Sequence, residues 1–582
     1  MVRWDYSRTL LIRASVLGAQ HFILNEVEKH YRYKVLRRPR AVVRTESRDP
    51  KMNRRDLIKN TLLAAGAVSS TGALAPEMLA QLHGPGGEPP KDQEKIDKAR
   101  SAEEAHRTDK SARMPNILWI CPDQMRGDVI HSLGNPLINT PCLDKLVSES
   151  VAFTNAFCQT SICSPSRGSF MTGRYPRQTN LKSNSEYIRP TEKLVSRILA
   201  DQGYDCGLSG KLHLSPCDQG FVEQRIDDGY RVFEWSHDIG NKWPGKNQWL
   251  NWLEKQNVKW PAAPKEAHET EVWGAPIDPK YTQTAWCSDV AIDFMKQHKP
   301  DQPWMMSVHI YQPHSPYHPT EEYLKRYNPS KMPLPPFKQG ELDNKPAYQM
   351  TDHKGAYGGH GKSFTDESDR DHQVTTAAYY AMIEQVDTEV GRMMKTLEEQ
   401  GMADNTVVIF MSDHGSMMGD HGIYEKGPYF YDGLNRVPLI MRWPGKYKAG
   451  LKIDSLVELV DIAPTVMEAA GLTIPAGMQG KSLTPVLTGA TTSHRDSVYM
   501  EFYNACSHYT PTPMNTCVRT ADWKLGYYQT LGTGELYDLR KDPGEFNNLW
   551  GKAQSMDAQA QMLQLLSARM IQSTDPLGVH VF

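Results

Sequence analysis

From residue 116 onward, short apolar runs alternate with stretches whose apolar residues recur every three or four positions. Asn116-Ile117-Leu118-Trp119-Ile120 carries no charge and is short enough for a buried strand. Similar runs occupy 204–209, 304–310 and 406–411. Between them, 194–202 predicts a helix, and Tyr379, Ile383, Val386, Val390, Met393 and Leu397 form the apolar stripe of a longer one. Apolar strands separated by helices predict a parallel sheet covered on both faces. Each strand runs directly into polar chemistry: Pro122-Asp123-Gln124, Gly210-Lys211-Leu212-His213, Pro313-His314-Ser315-Pro316 and Ser412-Asp413-His414-Gly415. Open α/β sheets bind ligands at the carboxyl ends of their strands. One polar residue after a strand is ordinary, but four such segments are expected to converge on a single site.

The beginning of the chain follows a different pattern. Within 52–80, Arg54-Arg55 is followed by Leu57-Ile58-Lys59 and an Ala-rich apolar stretch ending Ala73-Leu74-Ala75. A basic pair, a short apolar segment and small residues resemble a twin-arginine export signal, which predicts a periplasmic or extracellular protein. Residues 1–51 are basic and read either as an over-called start before Met52 or as an N-terminal extension. Residues 81–114 are rich in Gly, Pro, Lys and Glu and read as a linker. A large domain is expected at 115–460 and a smaller one at 461–582, a division that the 582-residue length allows.

Charge and cysteine content narrow the function classes. The 66 basic and 68 acidic residues nearly cancel, so no overall field points to nucleic acid. No apolar run reaches the length of a membrane-spanning helix, which argues against stable membrane insertion. Nine cysteines are too sparse for a disulfide scaffold; Cys206–Cys217 and Cys506–Cys517 are the candidate pairs, and the odd count leaves at least one thiol free.

One cysteine stands apart. Cys163-Ser164-Pro165-Ser166-Arg167 is followed by Thr172-Gly173-Arg174. This matches the C-x-P-S-R…T-G-R pattern of sulfatases, and the segment resembles that family. The resemblance continues in order through Asp123-Gln124, Gly210-Lys211-Leu212-His213, Pro313-His314-Ser315-Pro316, Asp413-His414-Gly415 and Lys426. Beyond them, Leu459-Val460-Asp461, Gln479-Gly480-Lys481 and Glu535-Leu536-Tyr537-Asp538-Leu539 resemble the family's smaller C-terminal domain. The resemblance implies an α/β alkaline-phosphatase-like fold: an α/β/α sandwich with a smaller C-terminal domain containing an antiparallel sheet.

It also implies a chemistry. Cys163 would be oxidised by a formylglycine-generating enzyme, and the hydrated aldehyde would attack sulfur with one hydroxyl and expel sulfate by deprotonation of the other. Asp123, Gln124, Asp413 and His414 resemble the ligands of one divalent metal ion. Calcium is the family's usual ion, but His414 stands where many members carry Asn. Imidazole suits softer ions, so Mn2+ and Zn2+ stay open beside Ca2+. Arg167 would anchor the hydrated formylglycine, Lys211 and Lys426 would hold sulfate oxygens, His213 resembles the base for sulfate release, and His314 resembles the acid for the leaving oxygen. His421 reads as a structural or rim residue; His353, His360 and His372 read as solvated positions in a polar loop.

Seven tryptophans lie between Trp235 and Trp286. They predict either an inserted aromatic core or a surface for stacking sugar rings. With the export signal, they favour a sulfated carbohydrate as substrate. The alternative within the same superfamily is a phosphonate or phosphate diester hydrolase.

Overall fold

The computed structural model describes residues 114–217, 222–239, 245–262, 272–299, 301–506 and 508–575. The export-signal segment, the residues before it and the linker up to residue 113 lie outside the described residues, as does Trp243.

The large unit is built on a nine-stranded sheet. In chain order its elements are β1 (Asn116–Ile120), α1 (Pro141–Ser148), β2 (Val151–Phe157), α2 (Cys163–Thr172), α3 (Val195–Asp201), β3 (Asp205–Gly210), β4 (Val232–Trp235), α4 (Gln248–Lys255), α5 (Gln283–Gln297), β5 (Trp304–His309), α6 (Asp369–Glu399), β6 (Thr406–Met411), β7 (Arg436–Arg442), β8 (Leu451–Ile453), β9 (Val457–Glu458) and α7 (Ile462–Ala469). The strand order is β4-β3-β5-β1-β6-β7-β2-β8, with β9 also on β2. The four strands read from the sequence are consecutive neighbours and all run parallel. The sheet is mixed, because β7 runs antiparallel to both β6 and β2.

Alternation along the central strands divides the core. Leu118, Ile120, Met306, Val308 and Phe410 face one layer, packed by α1, α4, α5 and α6. Ile117, Trp119, Met305, Val407 and Ile409 face the other, packed by α2, α3 and α7. Both faces are covered, which is why the strands read as unbroken apolar runs.

A second sheet follows: β10 (Val498–Tyr503), β11 (Met514–Arg519), β12 (Trp523–Tyr528) and β13 (Thr533–Asp538), all antiparallel neighbours. Its last helix, α8 (Met556–Gln572), covers one face through Met562 and Leu566. The other face buries Val498, Met500, Phe502 and Cys517 against Phe157 and Ile162 of the large unit. Ile162 directly precedes Cys163, so this sheet buttresses the start of α2.

All nine cysteines are free thiols, so neither Cys206–Cys217 nor Cys506–Cys517 is a disulfide. Cys206 packs in the main sheet core, whereas Cys217 packs beside Trp235. His372 is not solvated, and His353 is half-buried. His372 lies buried in α6, stacked on Phe364 and hydrogen-bonded to Tyr424. His353 stacks on the same ring and donates to the Gly422 carbonyl. The sequence suggested a polar loop because Tyr424 and the Gly422 carbonyl, which complete these contacts, come from a distant segment. His360 is exposed. His421 is buried against the Tyr431 ring and pairs with Glu341. Trp249 and Trp286 are core residues of the main sheet, and Trp260 meets Trp249 edge to face, so these indoles join the core under the large sheet rather than forming a separate one.

Candidate active site

The ladder between β1 and β5 continues past both strands: Asp123 N–H donates to the Ile310 carbonyl, and Ile310 N–H to that of Cys121. Asp123 and Gln124 are therefore locked beside the segment that carries Tyr311 and His314. At the end of β3, Gly210 has φ +95, and a Cβ there would lie 2.0 Å from the His309 carbonyl oxygen. Only glycine permits the turn that delivers Lys211. Cys163 opens α2, where unpaired backbone N–H groups favour negative charge. Gly173, in the left-handed conformation, ends that helix. Arg174 then ties its end to Glu192, Asp575 and the Gly477 carbonyl. The Thr-Gly-Arg part of the motif is thus structural.

The thiol of Cys163 sits at the centre of the converged segments. Its Sγ lies 3.0 Å from Lys426 Nζ, 3.1 Å from His414 Nε2 and 3.7 Å from Asp123 Oδ1. Burial pushes the thiol pKa up, but Lys211, Lys426 and His414 outweigh it and hold it well below the ordinary value. Lys211 Nζ pairs with Asp123 Oδ2 at 2.6 Å. Burial alone would weaken the Lys211 cation; Asp123 and Cys163 reverse that and raise its pKa. His213 is kept neutral by burial and by the neighbouring Lys211 cation.

Arg167 is fully buried. Its guanidinium donates to Asp413 Oδ2 at 2.9 Å, Asp123 Oδ2 at 3.2 Å and the Lys211 carbonyl at 2.7 Å. It braces the two carboxylates that flank the thiol. Asp413 Oδ1 accepts from the backbone N–H groups of Gln124 and His414. His414 Nδ1 donates to the Gly415 carbonyl at 2.9 Å, so in the neutral ring the Nε2 lone pair faces Cys163. His314 is fixed in the same way. Its Nδ1 donates to the Ser315 carbonyl at 2.7 Å, which turns Nε2 toward Lys426 Nζ at 2.9 Å.

All ten residues expected at the site are therefore brought to one end of the sheet. Asp123, Cys163, Asp413 and His414 form a buried group whose ligand atoms lie within 4.8 Å of one another. Gln124 Oε1 points into the same space and accepts from Lys426 Nζ at 3.0 Å. Two carboxylates, an amide oxygen and an oriented imidazole around a cationic ammonium make a donor set that fits a divalent cation.

Several neighbours escaped the sequence reading. His309, the last residue of β5, contacts the Lys211 carbonyl and the Arg167 guanidinium; burial and Arg167 push its pKa down to about 3. His237 meets His213 edge to face, and with Cys217 they form a second group of close ligand atoms. Glu425 hydrogen-bonds to Gln124. Only adjacency to Lys426 could have marked Glu425, and nothing in the sequence marked the others.

Residues 115–472 match the sulfatase family, and residues 419–572 match the family described as N-sulphoglucosamine sulphohydrolase, C-terminal. The chain belongs to the sulfatase family. It is a sulfuric ester hydrolase with an alkaline-phosphatase-like fold. Among its relatives, an arylsulfatase of Clostridium perfringens is 29% identical over 75% of this chain and 90% of its own. An N-acetylglucosamine-6-O-sulfatase of Bacteroides thetaiotaomicron is 25% identical over 80% and 87%. A phosphonate monoester hydrolase of Agrobacterium radiobacter superposes with a TM-score of 0.67 at 28% identity, over 79% of this chain and 96% of that one. No helix among the described residues is long and apolar enough to cross a membrane.

Proposed function

We propose that this sulfatase is exported and hydrolyses the sulfate monoester of a sulfated carbohydrate, with formylglycine at position 163 and one divalent metal ion. The observation that carries the reading is the environment of Cys163 Sγ, within 3.1 Å of both Lys426 Nζ and His414 Nε2 and beside Asp123. As formylglycine, residue 163 would supply a hydrated aldehyde able both to attack sulfur and to release sulfate. Asp123, Gln124, Asp413 and His414 would hold the metal, calcium by family resemblance, with manganese and zinc admitted by His414; the ion would polarise the sulfate oxygens.

The chain's own groups supply the rest. Lys211 and Lys426 are buried, preorganised cations opposite the charge that develops on sulfate. His213, held neutral, suits the base that triggers release. His314 Nε2 accepts from Lys426 Nζ, so the His314–Lys426 pair is placed to supply the proton to the leaving oxygen. The N-acetylglucosamine-6-O-sulfatase relative supports a sugar substrate, and Arg54-Arg55 supports export by the twin-arginine route. A formylglycine-generating enzyme is the maturation partner.

A second reading, phosphonate or phosphate diester hydrolysis, is favoured by the phosphonate monoester hydrolase superposition. The mass of the tryptic peptide carrying residue 163, together with rates on sulfated monosaccharides, an aryl sulfate and a phosphonate monoester, tests both readings. Conversion at residue 163 and fastest turnover of a sulfated sugar are expected. Unmodified Cys163 in active enzyme overturns the mechanism, and fastest turnover of the phosphonate overturns the substrate.

A further inference from the structure

Glu425 precedes Lys426 and is 1% exposed. Among the described residues its carboxylate forms no salt bridge and is met by neutral donors: Gln124 Nε2 at 2.9 Å, Ser315 Oγ at 3.0 Å and Tyr317 OH at 3.3 Å. A buried carboxylate without a cation is costly to folding. Both Glu425 and Gln124 also have left-handed backbones, with φ of +60 and +66. Non-glycine residues rarely adopt that conformation and persist in it where the surroundings impose it. Two strained residues hydrogen-bonded to each other beside a functional centre call for a functional account.

The hydrogen-bond chemistry supplies one. An amide side chain has an oxygen end and a nitrogen end of nearly equal size. Gln124 Nε2 meets Glu425 and, at 3.2 Å, Ser416 Oγ. A hydroxyl can donate or accept, so Ser416 tolerates either amide orientation. A carboxylate only accepts, so Glu425 admits the nitrogen end alone. Oε1 is thereby turned into the centre, where Lys426 Nζ meets it at 3.0 Å. The same carboxylate holds Ser315, whose carbonyl fixes Nδ1 of His314.

We propose that Glu425 is a positioning residue that locks the Gln124 amide with its oxygen toward the metal centre. This rests on the reading of Asp123, Gln124, Asp413 and His414 as ligands. The test is calorimetric titration of the metal-stripped full chain with Ca2+ and, separately, Zn2+, for the parent, Glu425→Gln and the double variant Glu425→Gln/Gln124→Glu. Glu425→Gln should weaken binding about 10–100-fold, the range for groups that orient metal ligands, with the circular dichroism of the metal-free protein unchanged. The double variant should recover affinity, because a carboxylate at 124 presents oxygen in either orientation and the amide at 425 can donate to it. If Glu425→Gln does not fold, Glu425→Asp, which draws the carboxylate back by one methylene, should show the same loss. Parent-like affinity in the single variant overturns the inference, as does failure of the double variant to recover. A parent that binds neither ion overturns the ligand reading and this inference with it.

Discussion

Lys426 Nζ and Cys163 Sγ stand 3.0 Å apart, both buried, although 263 positions separate them in the chain. The same ammonium is within 3.0 Å of Gln124 Oε1 and His314 Nε2. One cation thus touches the nucleophile position, a proposed metal ligand and the proposed acid. Lys426→Ala should lower kcat on a sulfate ester by about 100–1,000-fold, as expected when a preorganised charge opposite a transition state is lost. Steady-state kinetics with metal content measured in parallel checks this; a change in KM alone would contradict it.

His414 should set the metal preference. Its Nε2 lone pair is oriented by the Gly415 carbonyl. His414→Asn exchanges a borderline nitrogen donor for a hard oxygen, so zinc affinity should fall about tenfold or more while calcium affinity holds or rises. Competition titrations on metal-stripped protein read the two affinities directly.

Arg167 braces Asp123 and Asp413 from a position without solvent contact. Arg167→Lys keeps the charge but loses the planar fork that spans both carboxylates. Arg167→Ala leaves two buried carboxylates without that partner and should cost about 3–5 kcal/mol of stability. Urea unfolding of both variants should place lysine between alanine and the parent. Equal stability of all three would refute the bracing role.

Asp352 gives a pH prediction. Burial raises its pKa to about 7, against the lowering effect of hydrogen bonds from Tyr509, Gly358 N–H and Tyr429. The folded pKa lies above the unfolded value of 3.8, so the folded chain binds this proton more tightly. The stability contributed is full below pH about 4 and is lost as pH rises through about 7. Asp352→Asn cannot titrate. Between pH 5 and 8 the melting temperature of the parent should therefore fall further than that of Asp352→Asn. Parallel curves would show that Asp352 does not carry the effect.

The sequence by itself determined the main sheet strands around the site, their common direction and the residues at their carboxyl ends. It could do so because strands buried on both faces must be apolar throughout, and because a parallel sheet sends every such strand end to the same edge. Asp123, Lys211, His314 and Asp413 were legible for that reason, and Cys163 through its motif. The antiparallel β7 was not legible: no long helix separates it from β6 to signal a direction, and only its register with β6 and β2 decided it. His372 looked like a loop residue because its hydrogen-bond partner, Tyr424, lies 52 positions away. The free thiols, the tautomers of His314 and His414, and the amide lock between Gln124 and Glu425 belong to tertiary structure alone. The amide lock depends on a 2.9 Å contact between residues 301 positions apart, and the two tautomers on how the fold turns each ring onto the carbonyl of the next residue, at a distance where a hydrogen bond selects one orientation.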